Sequence, residues 1–80
     1  MKRVRYTVGY MPRRQAWAVL EHGAVLSQDA TQRGAVAWAS AQLRESWRQR
    51  GQLGELIIKG RDGRIRDSRT YGRDPRRTPG

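Results

Sequence analysis

The sequence has no cysteine among its 80 residues. Without thiols, the chain has neither a disulfide framework nor a zinc–cysteine site to stabilise its fold. A single domain of this length therefore depends on one modest hydrophobic core. The absence of cysteine also fits a reducing compartment, and we expect a cytoplasmic protein.

Groups for catalysis and metal binding are also scarce. The only histidine, His22, lies beside Gly23 in a predicted turn, which favours a surface histidine over a general base. Asp62 and Asp67 lie among arginines, which favours structural charge pairs over an acid–base couple. The run from Gly60 to Gly63 connects two predicted strands and opens no helix, so it is not a phosphate loop. We expect no enzymatic activity, no metal site and no cofactor.

Long apolar runs are missing as well. None approaches the roughly 20 residues that a helix needs to cross a bilayer. The first residues, Met1 to Arg5, are basic, but alternating polar and apolar residues follow where a signal peptide needs a continuous apolar segment. We expect no association with a membrane.

Positive charge, in contrast, is abundant. Seventeen lysine and arginine residues face seven acidic residues, which gives a formal net charge of +10. Only Lys2 and Lys59 are lysines, and the planar guanidinium of arginine binds phosphate or carboxylate through two parallel hydrogen bonds. This charge favours a polyanionic partner, nucleic acid above all. The alternative is a coding bias towards arginine, with the side chains only solvating the surface.

The first third of the chain predicts three antiparallel strands. Residues Arg3 to Met11 alternate, with Val4, Tyr6, Val8 and Tyr10 on one face, as in a half-buried strand. Pro12 to Gln15 form a turn, and Ala16 to Glu21 form a second strand. After the turn at His22 and Gly23, Ala24 to Ser27 form a short third strand.

A helix is predicted from Gln32 to Gln49. Asp29 or Thr31 is the expected N-cap, and Gly51 is the natural residue to end the helix. Its predicted core face consists of Val36, Ala39, Ser40, Leu43 and Trp47.

Two features lie off that core face. Arg33, Arg44 and Arg48 share one flank, with alanines between them. Trp38 falls about 200° from Val36 at 100° per residue, almost opposite the core. An exposed tryptophan is typical of an interface, although covering an arginine stem or packing under the C-terminal tail would also explain it.

The stretch from Gly54 to Gly72 predicts a β-hairpin. Leu56 to Ile58 favour a strand, and Asp62 with Gly63 indicates a two-residue type I′ turn. Ile65 is the only aliphatic residue of the return strand, which we therefore expect at the edge of the sheet with a basic exposed face.

Together these elements predict an α+β domain over residues 1–72, in the order β-β-β-α-β-β. An antiparallel meander and a C-terminal hairpin carry one helix packed on the sheet, while the order of the strands stays open. Residues 73–80 contain two prolines and no apolar anchor, and they predict a disordered basic tail.

The hairpin sequence Gly-Arg-Asp-Gly-Arg-Ile-Arg, from Gly60 to Arg66, and the later Tyr-Gly-Arg-Asp-Pro, from Tyr71 to Pro75, resemble a small family of bacterial and phage proteins. This is domain-of-unknown-function family 2188. The strand around Trp17 and the alanine-rich helix that starts near Thr31 also match its pattern. Trp38, Trp47 and the longer helix end from Arg48 to Arg50 depart from it. The resemblance implies the fold and no particular reaction.

Nucleic-acid binding through the hairpin and tail is our main functional prediction. Phosphate contacts would dominate affinity, and Tyr71 and Trp38 would stack on bases if the target were single-stranded. The sequence contains no helix-turn-helix or RNA-recognition signature, so it does not imply that binding is sequence-specific. The predicted nucleic-acid contacts are Lys59, Arg61, Arg64, Arg66, Arg69, Arg73, Arg76 and Arg77.

The alternative is a protein-interaction module of the kind that phage and mobile elements use to modulate a host protein. Its predicted interface consists of an exposed Trp38 with Arg33, Arg44 and Arg48, placed against an acidic protein surface. The edge strand would pair with a partner strand or with a second copy of the chain, so a homodimer is possible.

Overall fold

The computed structural model describes residues 3–72, which form one five-stranded sheet and one helix. The element order matches the predicted β-β-β-α-β-β. The predicted disordered tail, residues 73–80, lies outside the described residues. The elements are β1 (Val4–Met11), β2 (Ala16–Glu21), β3 (Ala24–Asp29), α1 (Gln32–Arg50), β4 (Gly54–Lys59) and β5 (Ile65–Tyr71).

The sheet is mixed, with the strand order β3-β2-β1-β4-β5. The meander of β1 to β3 and the hairpin of β4 and β5 are antiparallel, as predicted. They are joined by a parallel pairing of β1 with β4, in which Val4 lies opposite Gly54 and Val8 opposite Ile58. The sheet as a whole is therefore mixed, and the pairing that the sequence left open is the parallel one. Since parallel neighbours need a long crossover connection, the helix supplies part of that crossover.

The core lies between the helix and one face of the sheet. Val8, Val19 and Leu56 come from three neighbouring strands and are fully buried against Leu43 of the helix. The predicted inward face of β1 is confirmed, because Val4, Tyr6 and Tyr10 also pack against this cluster. Alternation along β1, β2 and β4 thus puts every second residue under the helix.

The helix begins and ends as the sequence predicts. Thr31 is the N-cap, and its hydroxyl accepts a hydrogen bond from the Gly34 amide at 3.0 Å. Asp29 supports the cap, because its carboxylate accepts from the Thr31 amide at 2.9 Å. Gly51 ends the helix in the left-handed region at φ 65°.

The buried face of the helix is shifted slightly from the predicted one. Ala39, Ser40 and Leu43 are buried as predicted, but Ala35 joins them. Val36 and Trp47 are only half-buried. The small residues let the helix approach the sheet closely, and a methyl group at Gly54 would lie 2.8 Å from a Leu43 methyl carbon.

The type I′ turn lies at a different hairpin from the predicted one. His22 and Gly23 have φ of 53° and 82° and join Glu21 to its partner Ala24, which is the two-residue I′ arrangement. The predicted I′ turn at Asp62 and Gly63 is wrong.

The β4–β5 hairpin closes with a three-residue loop instead. Gly60 donates its amide to the Arg64 carbonyl at 2.9 Å, and Gly63 donates to the Gly60 carbonyl at 3.0 Å. Only Gly63 in this loop has positive φ, 82°, as in a type I turn followed by a left-handed residue. Asp62 accepts a hydrogen bond from the Arg64 amide, which fixes the loop.

β5 is an edge strand, as predicted. Every residue from Ile65 to Thr70 is exposed, and Ile65 retains 64% of its surface. Within residues 3–72, no helix is long and apolar enough to cross a membrane.

Leu43→Ala tests the packing of helix on sheet. The side chain is fully buried, so its truncation removes buried area and leaves a cavity, at a cost of about 3 kcal/mol in the free energy of unfolding. Leu26→Ala is the matched control, because Leu26 is 41% exposed, and its loss is expected to cost under about 1 kcal/mol. Urea unfolding measures both; equal losses would contradict the arrangement.

Candidate nucleic-acid interface

A groove of about 540 Å³ lies between the helix and the edge strand β5. The helix supplies one wall and β5 supplies the other. We call this feature the arginine groove. Its lining residues are Gln32, Arg33, Val36, Ala37, Ser40, Arg44, Ile58, Arg66, Asp67 and Arg69.

The helix wall follows from spacing along α1. Arg33, Ala37, Ser40 and Arg44 are separated by four, three and four residues, so they lie along one flank. The small side chains at the middle positions leave room between the two arginines. The predicted clustering of Arg33 and Arg44 is thus confirmed, while Arg48 does not line the groove and lies 3.9 Å from Glu45 instead.

The strand wall combines two arginines with one carboxylate. Asp67 and Arg69 lie two residues apart on the helix side of β5, and Arg69 Nε donates to Asp67 Oδ2 at 3.2 Å. Side-chain hydrogen bonding to Tyr71, and then to Asp67, raises the pKa of Arg69 above its ordinary value. Both side chains of the pair are half-exposed to solvent, so their contribution to stability is small.

Arg66 reaches the groove across Gly60. The β4–β5 pairing shifts register between Ile58 and Lys59, which leaves Arg66 as the extra residue of a bulge. A methyl group built on Gly60 would lie 2.5 Å from Arg66 Nε. The missing side chain at Gly60 therefore leaves the space that Arg66 occupies.

Tyr71 connects the two walls at one end. Its hydroxyl and the Ser40 hydroxyl lie 2.6 Å apart in a hydrogen bond. The guanidinium carbon of Arg44 lies 5.9 Å from the centre of the Tyr71 ring, within the range of a cation–π contact. Ser40 and Tyr71 thus hold the helix at a fixed position beside the edge strand.

The charged side chains of the groove are predominantly positive. Its lining contains four arginines and a single carboxylate, Asp67. Arginine side chains converging from two elements can hold phosphate or carboxylate groups through paired hydrogen bonds. The geometry suits an anionic, extended ligand.

The remaining predicted hairpin contacts lie outside the groove. Arg61 stacks on Tyr10, with its guanidinium carbon 4.8 Å from the ring centre. Arg64 is exposed in the hairpin loop. Lys59 is half-buried on β4 next to Ile58, which packs in the core, so alternation along the strand points Lys59 away from the helix. The tail residues Arg73, Arg76 and Arg77 lie outside the described residues.

The predicted exposure of Trp38 is wrong. The side chain is half-buried, packs against the core and stacks on Tyr6, with ring centroids 6.4 Å apart and an interplanar angle of 21°. The helical wheel gives only the direction of the Cβ atom, and the long indole reaches back to the sheet. Trp38 is therefore not the exposed interface residue that the sequence predicts.

A second, polar cavity of about 430 Å³ lies along the other flank of the helix. Tyr6, Glu21, His22 and Glu45 are among its lining residues. Burial, and then the charge of Glu21, raise the pKa of Tyr6 above its usual value. Within residues 3–72, no three histidine or acidic residues are grouped as metal ligands.

Comparison with known protein families places this chain. A family described as "Uncharacterized protein conserved in bacteria (DUF2188)" matches residues 6–71. The chain belongs to the DUF2188 family. The resemblance predicted from the hairpin is thus confirmed, and the DUF2188 match covers every residue that lines the arginine groove. No curated protein and no solved structure matched the chain.

A double-mutant cycle on Ser40 and Tyr71 tests how the groove is held. Ser40→Ala and Tyr71→Phe each remove one partner of the hydrogen bond, and the two positions contact each other. We expect a coupling free energy of about 1 kcal/mol in urea unfolding, so that the double variant loses less than the two single losses added together. Additive losses would contradict the contact.

Proposed function

We propose that this DUF2188 protein binds nucleic acid through the arginine groove. The observation that carries the proposal is the meeting of Arg33 and Arg44 from the helix with Arg66 and Arg69 from the edge strand. The sequence placed these arginines in two separate surfaces. Their convergence beside a single carboxylate concentrates positive charge where a phosphate backbone can follow the groove.

The proposed contacts are to phosphates. Guanidinium groups on both walls would bind successive phosphates, and such contacts supply affinity without reading the sequence. Arg61, held over Tyr10 at the hairpin end, would extend the same backbone contact beyond the groove. Binding without catalysis, in the cytoplasm, is the function proposed.

The protein-interaction alternative has weaker support, because its central residue is not fully exposed. It depended on Trp38 as an exposed side chain, and Trp38 instead stacks on Tyr6. Arg48, the third arginine of that predicted interface, lies beside Glu45. We therefore favour nucleic acid over a host-protein surface.

Arg33→Gln/Arg44→Gln tests the proposal against a control with the same loss of charge. In fluorescence anisotropy with single-stranded DNA, double-stranded DNA and RNA over a salt series, we expect weaker binding. The log–log salt slope should fall by about 2, because each phosphate contact contributes about 0.9.

Arg13→Gln/Arg14→Gln is the control. These arginines lie in the exposed β1–β2 turn and do not line the groove, so the slope should change little. Equal effects of the two double variants would indicate a diffuse charge effect. No binding of any of the three nucleic acids by the wild-type protein would contradict the proposal.

Gly60→Ala tests the geometry without changing any charge. The added methyl group would meet Arg66 Nε and displace that guanidinium from the groove, while the flexible side chain moves at small cost in stability. We expect affinity to fall about threefold to tenfold, the loss of roughly one phosphate contact. Unchanged affinity and salt slope would exclude Arg66 from the site.

A further inference from the structure

The outer edge of β5 is unpaired in the described part of the chain. β5 is the last strand of the sheet, and its residues from Ile65 to Thr70 are all exposed. An exposed strand edge offers a row of backbone donors and acceptors to another strand. The question is which strand would fit it.

One hydrogen bond shows which backbone groups face outward. The Ser68 amide donates to its neighbouring side chain, Asp67 Oδ1, at 2.9 Å, so it is not used in the ladder with β4. Since amides alternate in direction along an antiparallel strand, Ser68 presents its backbone groups to the free edge. In the single chain, the Asp67 carboxylate accepts the hydrogen bond from the Ser68 amide.

We propose that β5 pairs antiparallel with β5 of a second copy of this chain, with the two-fold axis at Ser68. In this register Ser68 lies opposite the partner's Ser68, and the two outward amides and carbonyls are exchanged. Asp67 lies opposite the partner's Arg69, and Arg69 lies opposite the partner's Asp67. This inference does not depend on nucleic-acid binding.

Charge favours this register over its neighbours. A two-fold axis at Asp67 would place two carboxylates directly opposite each other. An axis at Arg69 or at Arg66 would place two guanidinium groups directly opposite each other. Like charges directly opposite each other in a sheet are destabilising. An axis at Thr70 opposes no like charges, but it places Arg69 opposite Tyr71 and forms no ion pair between Asp67 and Arg69 across the interface. The Ser68 register instead pairs opposite charges on both sides of the axis.

The existing ion pair then becomes part of a network of four charges. Asp67 and Arg69 already meet at 3.2 Å on the helix side of β5. Once the Ser68 amide binds the partner's backbone, Asp67 Oδ1 is released to accept from the partner's Arg69. Each carboxylate would then lie between two guanidinium groups, and such networks stabilise more than isolated exposed pairs.

The other edge of the sheet is a weaker candidate. β3 has a register shift between Val19 and Leu20 of its neighbour, so its ladder is irregular in the middle. Its last residue, Asp29, is engaged in the helix cap. On β5, the segment from Asp67 to Thr70 lies beyond the bulge at Arg66, pairs regularly with β4 and is charge-complementary to a second copy of itself.

The dimer would bring the two arginine grooves together. A two-fold axis perpendicular to the sheet keeps both helices on the same face of a continuous sheet of ten strands. The two β5 strands would then form the shared floor between the two helices. A single face of the dimer would carry both copies of Arg33, Arg44, Arg66 and Arg69.

Charge reversal at the two paired positions tests the interface. Sedimentation equilibrium at about 0.15 M salt limits repulsion between the two basic chains, because the Debye length is then about 8 Å. We expect a concentration-dependent dimer for the wild-type protein. Asp67→Arg and Arg69→Asp, each of which places like charges opposite each other, should weaken it at least about tenfold.

The double variant Asp67→Arg/Arg69→Asp restores opposite charges across the axis and keeps the net charge. It should regain most of the dimer affinity, and circular dichroism checks that each variant is folded. A wild-type protein that stays monomeric throughout the concentration range, or a double variant no better than the two single variants, would overturn the proposal.

Cross-linking tests the register. The chain has no native cysteine, so Ser68→Cys supplies a single thiol. In the proposed register the two Cα atoms are about 5.5 Å apart, within disulfide range. Thr70→Cys is the control, because the two thiols would be displaced by about 14 Å along the strands. Equal cross-linking at both positions, or none at Ser68→Cys, would overturn the register.

These variants also separate the dimer from the proposed function. Asp67→Arg adds positive charge to the groove and should strengthen nucleic-acid binding while it weakens the dimer. Arg69→Asp should weaken both. Loss of the dimer in both single variants with opposite changes in nucleic-acid affinity would therefore support the two proposals independently.

Discussion

The single helix is narrower than the five-stranded sheet that it packs on, and the rest of the structure depends on this difference in width. Five strands span about 19 Å between the two edges, whereas a helix with its side chains is about 10–12 Å wide. The helix packs over the strands that carry Val8, Val19 and Leu56. The edge strand β5 extends beyond it and leaves a groove, whose walls are the helix flank and the polar side chains of β5.

Much of this fold could be predicted because local signals agree with it. Alternation identified β1, the N-cap at Thr31 and the glycine at position 51 bounded the helix, and the scarcity of aliphatic residues after Gly63 identified an edge strand. The parallel pairing of β1 with β4 could not be predicted, because strand periodicity does not identify the neighbouring strand. The Asp–Gly signal also failed to give the loop length, since a left-handed Gly63 serves both kinds of turn.

The candidate site was predicted in its parts and not in its arrangement. The helix flank with Arg33 and Arg44 and the basic hairpin were both recognised, but their meeting depends on where the hairpin lies beside the helix. Arg66 reaches the groove through a bulge and the open space at Gly60, which alternation alone does not reveal. The helical wheel misplaces Trp38, because it describes directions from the helix axis and ignores the reach of a long side chain.

The most direct test of the account is an NMR titration that observes the arginine side-chain Nε–H signals while a single-stranded oligonucleotide is added. The account predicts that signals of Arg33, Arg44, Arg66 and Arg69 shift together along one binding curve. Signals of Arg13, Arg14 and Arg48, which do not line the groove, should shift much less. Shifts spread evenly over all these arginines, or confined to those outside the groove, would contradict it.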